Sequence, residues 1–233
     1  MSKDFSEVER YAAFPVFLLV DVSLSMRREI PVLNEGLQKI KQALKNAPIV
    51  AEKARLGVII FADEARTVLP LCDLQYADMP PLKEEGSGTN FAKAFRVTRH
   101  EIEAQISSLG KGYPFHTPVV YFLTDGEHNA SDDWTKPHEQ LTSREWKFYP
   151  QIVAFGFRDA KREDLQSIGT AHVLLAKDGS PADQLEAILN TIIGSIKFTS
   201  LSLHAADTGQ ATEGGLGVPI DHTKFISLPT KTV

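Results

Sequence analysis

The chain has 233 residues, of which 42% are hydrophobic and 24% are charged, and its formal net charge at pH 7 is −5. This length and this hydrophobic content suit a single domain with one sizeable core. The acidic balance leaves no excess of basic side chains to neutralise phosphate groups, which excludes a general nucleic-acid-binding protein.

The N-terminal segment and the single cysteine bear on the location of the protein. Residues 1–11 carry acidic side chains where a secretory signal peptide carries net positive charge. The apolar run that follows ends at Asp21 and is too short to span a bilayer. Cys72 has no second cysteine with which to form an internal disulfide, which is consistent with a reducing compartment. We therefore expect a cytoplasmic protein that has no membrane partner.

The apolar run at residues 14–20 predicts a buried parallel strand. It ends at Asp21, and Ser23 and Ser25 follow at alternate positions. Open α/β sheets bind ligands in the crevice at the carboxyl ends of their strands, so these three side chains would lie in a natural site position. A carboxylate with hydroxyl groups suits a hard divalent cation such as Mg²⁺ or Mn²⁺. The alternative is that Asp21 caps the next helix and that the serines are turn residues.

The next part of the chain predicts a helix and two strands. Apolar residues at helical spacing in 29–45 indicate an amphipathic helix that covers the sheet. Residues 54–61 predict a second buried strand, and the alternating pattern of 65–71 is typical of an edge strand. The short connection between these two strands predicts a tight antiparallel hairpin.

Two later stretches bring further oxygen atoms to the same edge of the sheet. Residues 74–88 predict a long loop with glycines and prolines, which delivers Thr89 at the start of a helix extending from Phe91 to Gly110. A second apolar strand, at 119–124, ends at Asp125. Three loops would thus place two aspartates and three hydroxyl residues together.

The remainder of the domain alternates strands and helices. Strands are predicted at 149–155 and 171–176, and helices at 160–168, after Asp159 as its cap, and at 181–196. This alternation predicts an α/β fold with a doubly wound, mostly parallel sheet, one antiparallel edge strand and helices on both faces.

The composition changes near the C-terminus, where glycine and polar residues dominate 207–217. We predict a flexible tail from residue 199, whose last apolar segment, 225–228, could pair with an exposed sheet edge or with a partner. The chain is accordingly divided into a lead-in at 1–11, a domain at 12–198 and a tail at 199–233.

The combination of an Asp-x-Ser-x-Ser motif, a loop threonine and a Thr-Asp-Gly after a hydrophobic strand resembles the metal-ion-dependent adhesion site (MIDAS) of von Willebrand factor type A domains. The resemblance covers roughly residues 12–198. It implies that one divalent cation, Mg²⁺ with Mn²⁺ or Ca²⁺ as alternatives, is held by five residues. These are Asp21, Ser23, Ser25, Thr89 and Asp125.

Two sequence details resemble a narrower group within that family. The first-strand motif at 15–26 and the Asn-Glu-Gly-Leu at 34–37 are similar to the bacterial tellurite-resistance TerY-like subgroup. This resemblance implies a bacterial stress-response setting in which such domains occur beside a serine/threonine kinase and a PPM-type phosphatase. Either enzyme is therefore a candidate partner.

The oxygen-rich site favours a metal-dependent protein-binding module over an enzyme. The resemblance implies that one aspartate binds the cation directly and the other acts through water, which leaves surplus positive charge on the ion. An Asp or Glu carboxylate of a partner protein would relieve that charge. We therefore expect a scaffold or adaptor whose partner presents such a carboxylate.

Two alternatives to this function stay open. The first is a metal-dependent hydrolase or phosphatase. Haloacid-dehalogenase phosphatases carry their acid catalyst two positions after the first aspartate, where this chain has Ser23. The sequence also has no Gly-x-x-x-x-Gly-Lys phosphate loop and no Gly-x-Ser-x-Gly elbow. The second alternative is an interaction domain of the same family in which the metal site is vestigial.

Overall fold

The computed structural model describes residues 12–73, 75–76, 78–110, 112–129 and 133–231. The lead-in predicted at 1–11 lies outside the described residues. In the described part, seven strands form one mixed sheet. In chain order they are β1 (Phe14–Asp21), β2 (Ala54–Phe61), β3 (Ala65–Asp73), β4 (Val119–Thr124), β5 (Gln151–Gly156), β6 (His172–Ala176) and β7 (Phe225–Leu228).

Six α-helices are found in the same described ranges. They are α1 (Ile30–Lys45), α2 (Pro48–Lys53), α3 (Phe91–Ser108), α4 (Thr135–Thr142), α5 (Arg162–Ile168) and α6 (Pro181–Asp207). A short 3₁₀ helix, Leu24–Arg28, connects the first serine of the motif to α1. A search of the described helices for a bilayer-spanning segment of sufficient length and apolarity finds none.

The strand order across the sheet is β3-β2-β1-β4-β5-β6-β7. The five inner strands pair in parallel, whereas β3 and β7 pair antiparallel with their neighbours at the two edges. The predicted fold class is confirmed, and the structure adds a second antiparallel edge strand. Because β1 and β4 are parallel neighbours, the loops after Asp21 and after Thr124 leave the sheet side by side.

The central strand β1 is buried at all eight positions because helices cover both faces of the sheet. Val16 and Leu18 belong to a core shared with α1 and α6, whereas Phe17 and Leu19 belong to a core shared with α3, α4 and α5. A parallel strand covered on both faces has no solvent-facing side, which explains its continuous apolar sequence.

Three helical details differ from the sequence prediction. The short helices α2 and α4 were not predicted, since six and eight residues give too few turns for a clear apolar period. The helix predicted at 160–168 begins at Arg162, after Lys161 as its N-cap. Asp159 instead belongs to the turn after β5, where its amide donates to the Asp125 carbonyl oxygen at 3.0 Å.

The C-terminal segment also differs from the prediction of a flexible tail from residue 199. Residues 199–207 continue α6. The strand β7 pairs with β6 at the edge of the sheet, which is one of the two pairings predicted for 225–228. The amide of Gly217 donates to the Thr199 hydroxyl at 3.1 Å, and a Cβ atom at Gly217 would collide with the ring of Phe198. Glycine here permits close packing against α6, which composition alone does not distinguish from flexibility.

Phe225→Ala is expected to lower the free energy of unfolding by about 3 kcal/mol, because it removes a fully buried ring. The Phe225 and Phe155 ring centroids lie 6.2 Å apart, so this side chain docks β7 onto the core. Urea denaturation measures the change. Ser227→Ala, at an exposed position of the same strand, is the control and should change stability by less than about 0.5 kcal/mol. An unchanged urea midpoint for Phe225→Ala would contradict the docking of β7.

Candidate metal centre

Asp21 is the last residue of β1, and its carboxylate is completely buried. The amide of Ser23 donates to Oδ1 of Asp21 at 2.9 Å, and the hydroxyl of Thr124 donates to Oδ2 at 2.7 Å. The donors come from the loop after β1 and from the end of β4, so two neighbouring strands hold the carboxylate in one orientation. Both donors are neutral groups, and they leave the charge of the carboxylate uncompensated.

The two serines connect the first aspartate of the motif to the second. The hydroxyl oxygens of Ser23 and Ser25 lie 3.1 Å apart, and the Ser25 hydroxyl donates to Oδ1 of Asp125 at 2.7 Å. Ser23 is buried, whereas Ser25 is exposed. Four of the five predicted residues therefore form one hydrogen-bonded chain, which opens to solvent at Ser25.

Thr89 lies at the same edge of the sheet but is held separately. Its amide donates to Oδ1 of Asn129 at 3.0 Å, and the Asn129 amide returns a bond to the Thr89 carbonyl oxygen at 2.9 Å. The next residue, Asn90, donates its amide to the Ala62 carbonyl oxygen at 2.8 Å, just after β2. Within the described part of the chain, the Thr89 hydroxyl makes no hydrogen bond to the other four predicted residues.

Glycines shape the loop that carries Thr89. The Ser87 amide donates to Oδ2 of Asp63 at 2.8 Å, which ties the loop to the β2–β3 turn. Gly86 has a φ of +66°, a left-handed conformation that favours glycine. A Cβ atom at Gly88 would collide with the Asp63 carboxylate. The glycines therefore allow the close approach that brings Thr89 to the sheet edge.

Arg158 is a site residue that sequence reasoning missed. Its Nη1 donates to Oδ2 of Asp125 and to the Ser25 carbonyl oxygen, both at 2.7 Å, and its Nη2 forms an ion pair with Oε1 of Glu29. Arg158 has a φ of +53°, which is uncommon for a residue other than glycine. Its position two residues beyond β5, the strand beside β4, is the signal that could have placed it at this edge.

Glu29 is buried, and its second carboxylate oxygen has no hydrogen-bond partner among the described residues. The guanidinium of Arg158 is thus the cation that compensates both Glu29 and Asp125. The two aspartates of the motif consequently differ, because Asp125 is paired with a cation whereas Asp21 is held only by neutral donors.

Burial raises the pKa of Asp21 to about 6, because the charged form loses its hydration, and the nearby Asp125 carboxylate adds a smaller effect in the same direction. Hydrogen bonds from Ser23 and Thr124 oppose this rise. Without a cation beside it, the deprotonated form of the Asp21 side chain is therefore an unfavourable buried anion. A cation placed beside it would stabilise the deprotonated form.

The converging side chains fit a hard cation. They offer two carboxylates together with serine and threonine hydroxyls, and oxygen atoms of this kind are the preferred ligands of Mg²⁺ and Ca²⁺. The described residues contain no group of three or more His, Cys, Asp or Glu side chains placed for a metal ion. The donor set is accordingly rich in hydroxyls and has a single unpaired carboxylate, Asp21.

We expect Asp21 to make the protein less stable as the pH rises when metal is withheld with EDTA. Its folded pKa of about 6 lies above the ordinary value near 4, so its stabilising contribution is complete below about pH 4 and is lost through pH 6. Relative to Asp21→Asn, the wild type should lose about 3 kcal/mol over that interval in urea denaturation. A difference that stays constant from pH 4 to pH 7 would contradict the description of Asp21 as a buried, unpaired carboxylate.

Arg158→Ala is expected to lower the free energy of unfolding by about 2 kcal/mol, because it leaves the carboxylates of Glu29 and Asp125 without their cation. The comparison uses thermal and urea denaturation. Arg144→Ala is the matched control, since Arg144 is exposed and lies near the amino end of β5. Equal stabilities for the two variants would show that Arg158 does not hold the site together.

We compared the sequence and the fold with those of known proteins. Residues 16–128 match a family model described as the von Willebrand factor type A domain. A search of curated proteins finds no match. Several solved structures share the fold at low sequence identity, so they bear on the fold alone.

One of these structures is proximal thread matrix protein 1 from the mussel byssus, with 19% identity, a TM-score of 0.60 and coverage of 81% of this chain and 49% of that chain. A second structure of that protein, with a zinc-occupied MIDAS motif, has 18% identity, a TM-score of 0.58 and coverage of 80% and 48%. The pilus adhesin SpaC from Lactobacillus rhamnosus GG has 16% identity, a TM-score of 0.60 and coverage of 81% and 30%. This chain thus spans half or less of those proteins. Residues 16–128, just under half of the chain, thus resemble a von Willebrand factor type A domain, and the shared fold extends over about 80% of the chain.

Proposed function

We propose that the chain is a metal-dependent protein-binding module in which a divalent cation receives an Asp or Glu carboxylate from a partner protein. The cation, for which Mg²⁺ is our first candidate, would be held by Asp21, Ser23, Ser25, Thr89 and Asp125. The observation that carries the proposal is the buried Asp21 carboxylate, which has only neutral donors and lies beside two serine hydroxyls.

The charge balance of the site supports a role in binding carboxylates. Asp125 is already paired with Arg158, so the cation would find one unpaired carboxylate, Asp21, together with neutral hydroxyls. A divalent cation in such a site keeps surplus positive charge, and an anionic oxygen from outside is the simplest group to complete its shell. Ser25 is the exposed residue of the four that are joined by hydrogen bonds, so the partner would approach over Ser25.

The same contacts disfavour the enzyme alternative. Both oxygens of Asp21 accept hydrogen bonds, and the Ser25 hydroxyl donates to a carboxylate that is itself paired with Arg158. Among the described residues, the carboxylate bonded to Ser25 is thus already engaged by a cation, whereas a nucleophilic serine requires a free base. We propose that the protein is not an enzyme, and expect no metal-dependent turnover of aryl phosphates or aryl esters.

The identity of the metal and the cellular setting are further parts of the proposal. The mussel protein with its zinc-occupied motif supports a divalent cation as a class, and the all-oxygen donor set favours Mg²⁺ within that class. The resemblance to the TerY-like subgroup motivates a bacterial stress response, with a serine/threonine kinase or a PPM-type phosphatase as the partner in the cytoplasm.

The first test is the thermal response to Mg²⁺. At a concentration of about 100 times the dissociation constant, bound ion stabilises the wild type by about 2.7 kcal/mol, or roughly 5–10 °C in a domain of this size. Asp21→Ala should remain folded and lose this response, because the substitution removes the one predicted site carboxylate that has no cationic side chain beside it. Thr89→Ala should reduce the response by less, since water can replace one neutral oxygen. Asp178→Ala, at an exposed position outside the site, should respond like the wild type.

The second test is capture of partner proteins in Mg²⁺ and in EDTA. Binding that requires Mg²⁺ and is lost in Asp21→Ala is the expected result, because the cation would be the docking point. If Asp21→Ala in EDTA captured the same partner as well as the wild type in Mg²⁺, the site would be vestigial and the proposed function wrong.

A further inference from the structure

An open groove with a volume of about 410 Å³ lies directly beside Ser25. Its lining residues come from the 3₁₀ helix and from the turn after β5. They are Leu24, Ser25, Arg27, Arg28, Arg158 and Asp159. Ser25 thus belongs to both the candidate metal centre and the groove, so the groove begins where the candidate metal centre opens to solvent.

Two of the three arginines in the groove are already paired. Arg27 forms a bidentate pair with the carboxylate of Glu84, and Arg158 binds Glu29 and Asp125. Their charges are therefore largely balanced within the protein. They shape the wall of the groove and leave little free charge for a ligand.

Arg28 differs from both. It is exposed, and its side chain makes no ion pair or hydrogen bond to any described residue. The one acid that lines the groove, Asp159, uses its amide in the turn after β5 and forms no ion pair with Arg28. In a chain with a net charge of −5, this leaves one unmatched cation beside the site.

The groove also offers an apolar surface next to that cation. Leu24 is 47% exposed and precedes Ser25, whereas Met26 in the same 3₁₀ helix is buried in the core. Residues 24–28 therefore present an apolar side chain, a hydroxyl of the candidate metal centre and a free guanidinium, in that order along the chain. This order matches a pair of anionic groups with an apolar side chain at one end of the pair.

We propose that this groove selects an acidic partner segment that carries two carboxylates, with an apolar residue flanking the carboxylate that docks at the metal centre. The inference rests on the proposed function. The first carboxylate docks at the metal centre beside Ser25, the second pairs with Arg28, and the apolar side chain lies against Leu24. A guanidinium binds a carboxylate through two parallel hydrogen bonds, so Arg28 distinguishes a second acid from its neutral amide.

The experiment measures binding of fluorescent, end-capped peptides to the whole chain by anisotropy, in Mg²⁺ and in EDTA. The probe is Gly-Ser-Leu-Glu-Glu-Ser-Gly, with a second version that has one extra glycine between the acids. Each is compared with the two forms in which one Glu is replaced by Gln. In Mg²⁺, the diacid should bind about threefold to tenfold more tightly than the better single-acid peptide, as expected for one partly exposed charged pair.

Protein variants test whether Arg28 is the residue that binds the second acid. Arg28→Gln should remove the preference for the second acid and leave the affinity for the single-acid peptides unchanged, because Arg28 is outside the metal centre. Arg28→Lys should keep part of the preference for the diacid peptide. That remaining preference should fall as the salt concentration is raised. Arg144→Gln, an exposed arginine near the amino end of β5, is the matched control and should behave like the wild type.

The possible results separate this inference from the proposed function. Binding of single-acid peptides that requires Mg²⁺, without any gain from the second acid, would overturn the inference and leave the proposed function standing. A gain that persists in Arg28→Gln would also overturn it, because another residue would bind the second acid. Failure of every peptide to bind in Mg²⁺ would overturn both.

Discussion

The buried carboxylate of Asp21 is the constraint on which the structure at the carboxyl ends of the parallel strands depends. β1 is covered on both faces, so the side chain at its end is held away from water. An anion in such a place is unfavourable unless a cation or a proton accompanies it. The neighbouring groups, Ser23 and Thr124, donate hydrogen bonds but carry no charge. The fold thus creates a buried anionic position that no cationic side chain of the described residues compensates. A proton or a bound cation would have to do so.

Asp125 shows the contrasting solution one strand away. It is buried like Asp21, but the guanidinium of Arg158 compensates it permanently and is held in turn by the buried Glu29. Because one aspartate has a fixed cation and the other does not, the proposed site would have a single place for an exchangeable ion. The same arrangement reduces the electrostatic repulsion between the two aspartates.

Most of this geometry follows from rules that act locally along the sequence. Continuous apolar runs identify β1 and β4, and parallel pairing then brings Asp21, Ser23, Ser25 and Asp125 to one edge. The role of Arg158 could not be predicted in the same way, since it depends on a left-handed turn after β5 and on a glutamate 129 positions earlier. The flexible tail was predicted wrongly for a different reason, because a glycine that packs closely and a glycine that loosens the chain contribute equally to composition.

The shared position of Ser25 connects binding strength with selectivity. Its hydroxyl bonds to Asp125 in the candidate metal centre, while its carbonyl oxygen accepts a bond from Arg158 in the wall of the groove. A cation bound at the proposed site would attract any carboxylate, since its charge has no preference among anions. Discrimination must then come from fixed groups that the rest of the ligand meets, and charged groups at the rim of an interface act mainly in this way. The groove next to Ser25 is where such discrimination would arise, because the chain of hydrogen bonds fixes its distance from the metal centre.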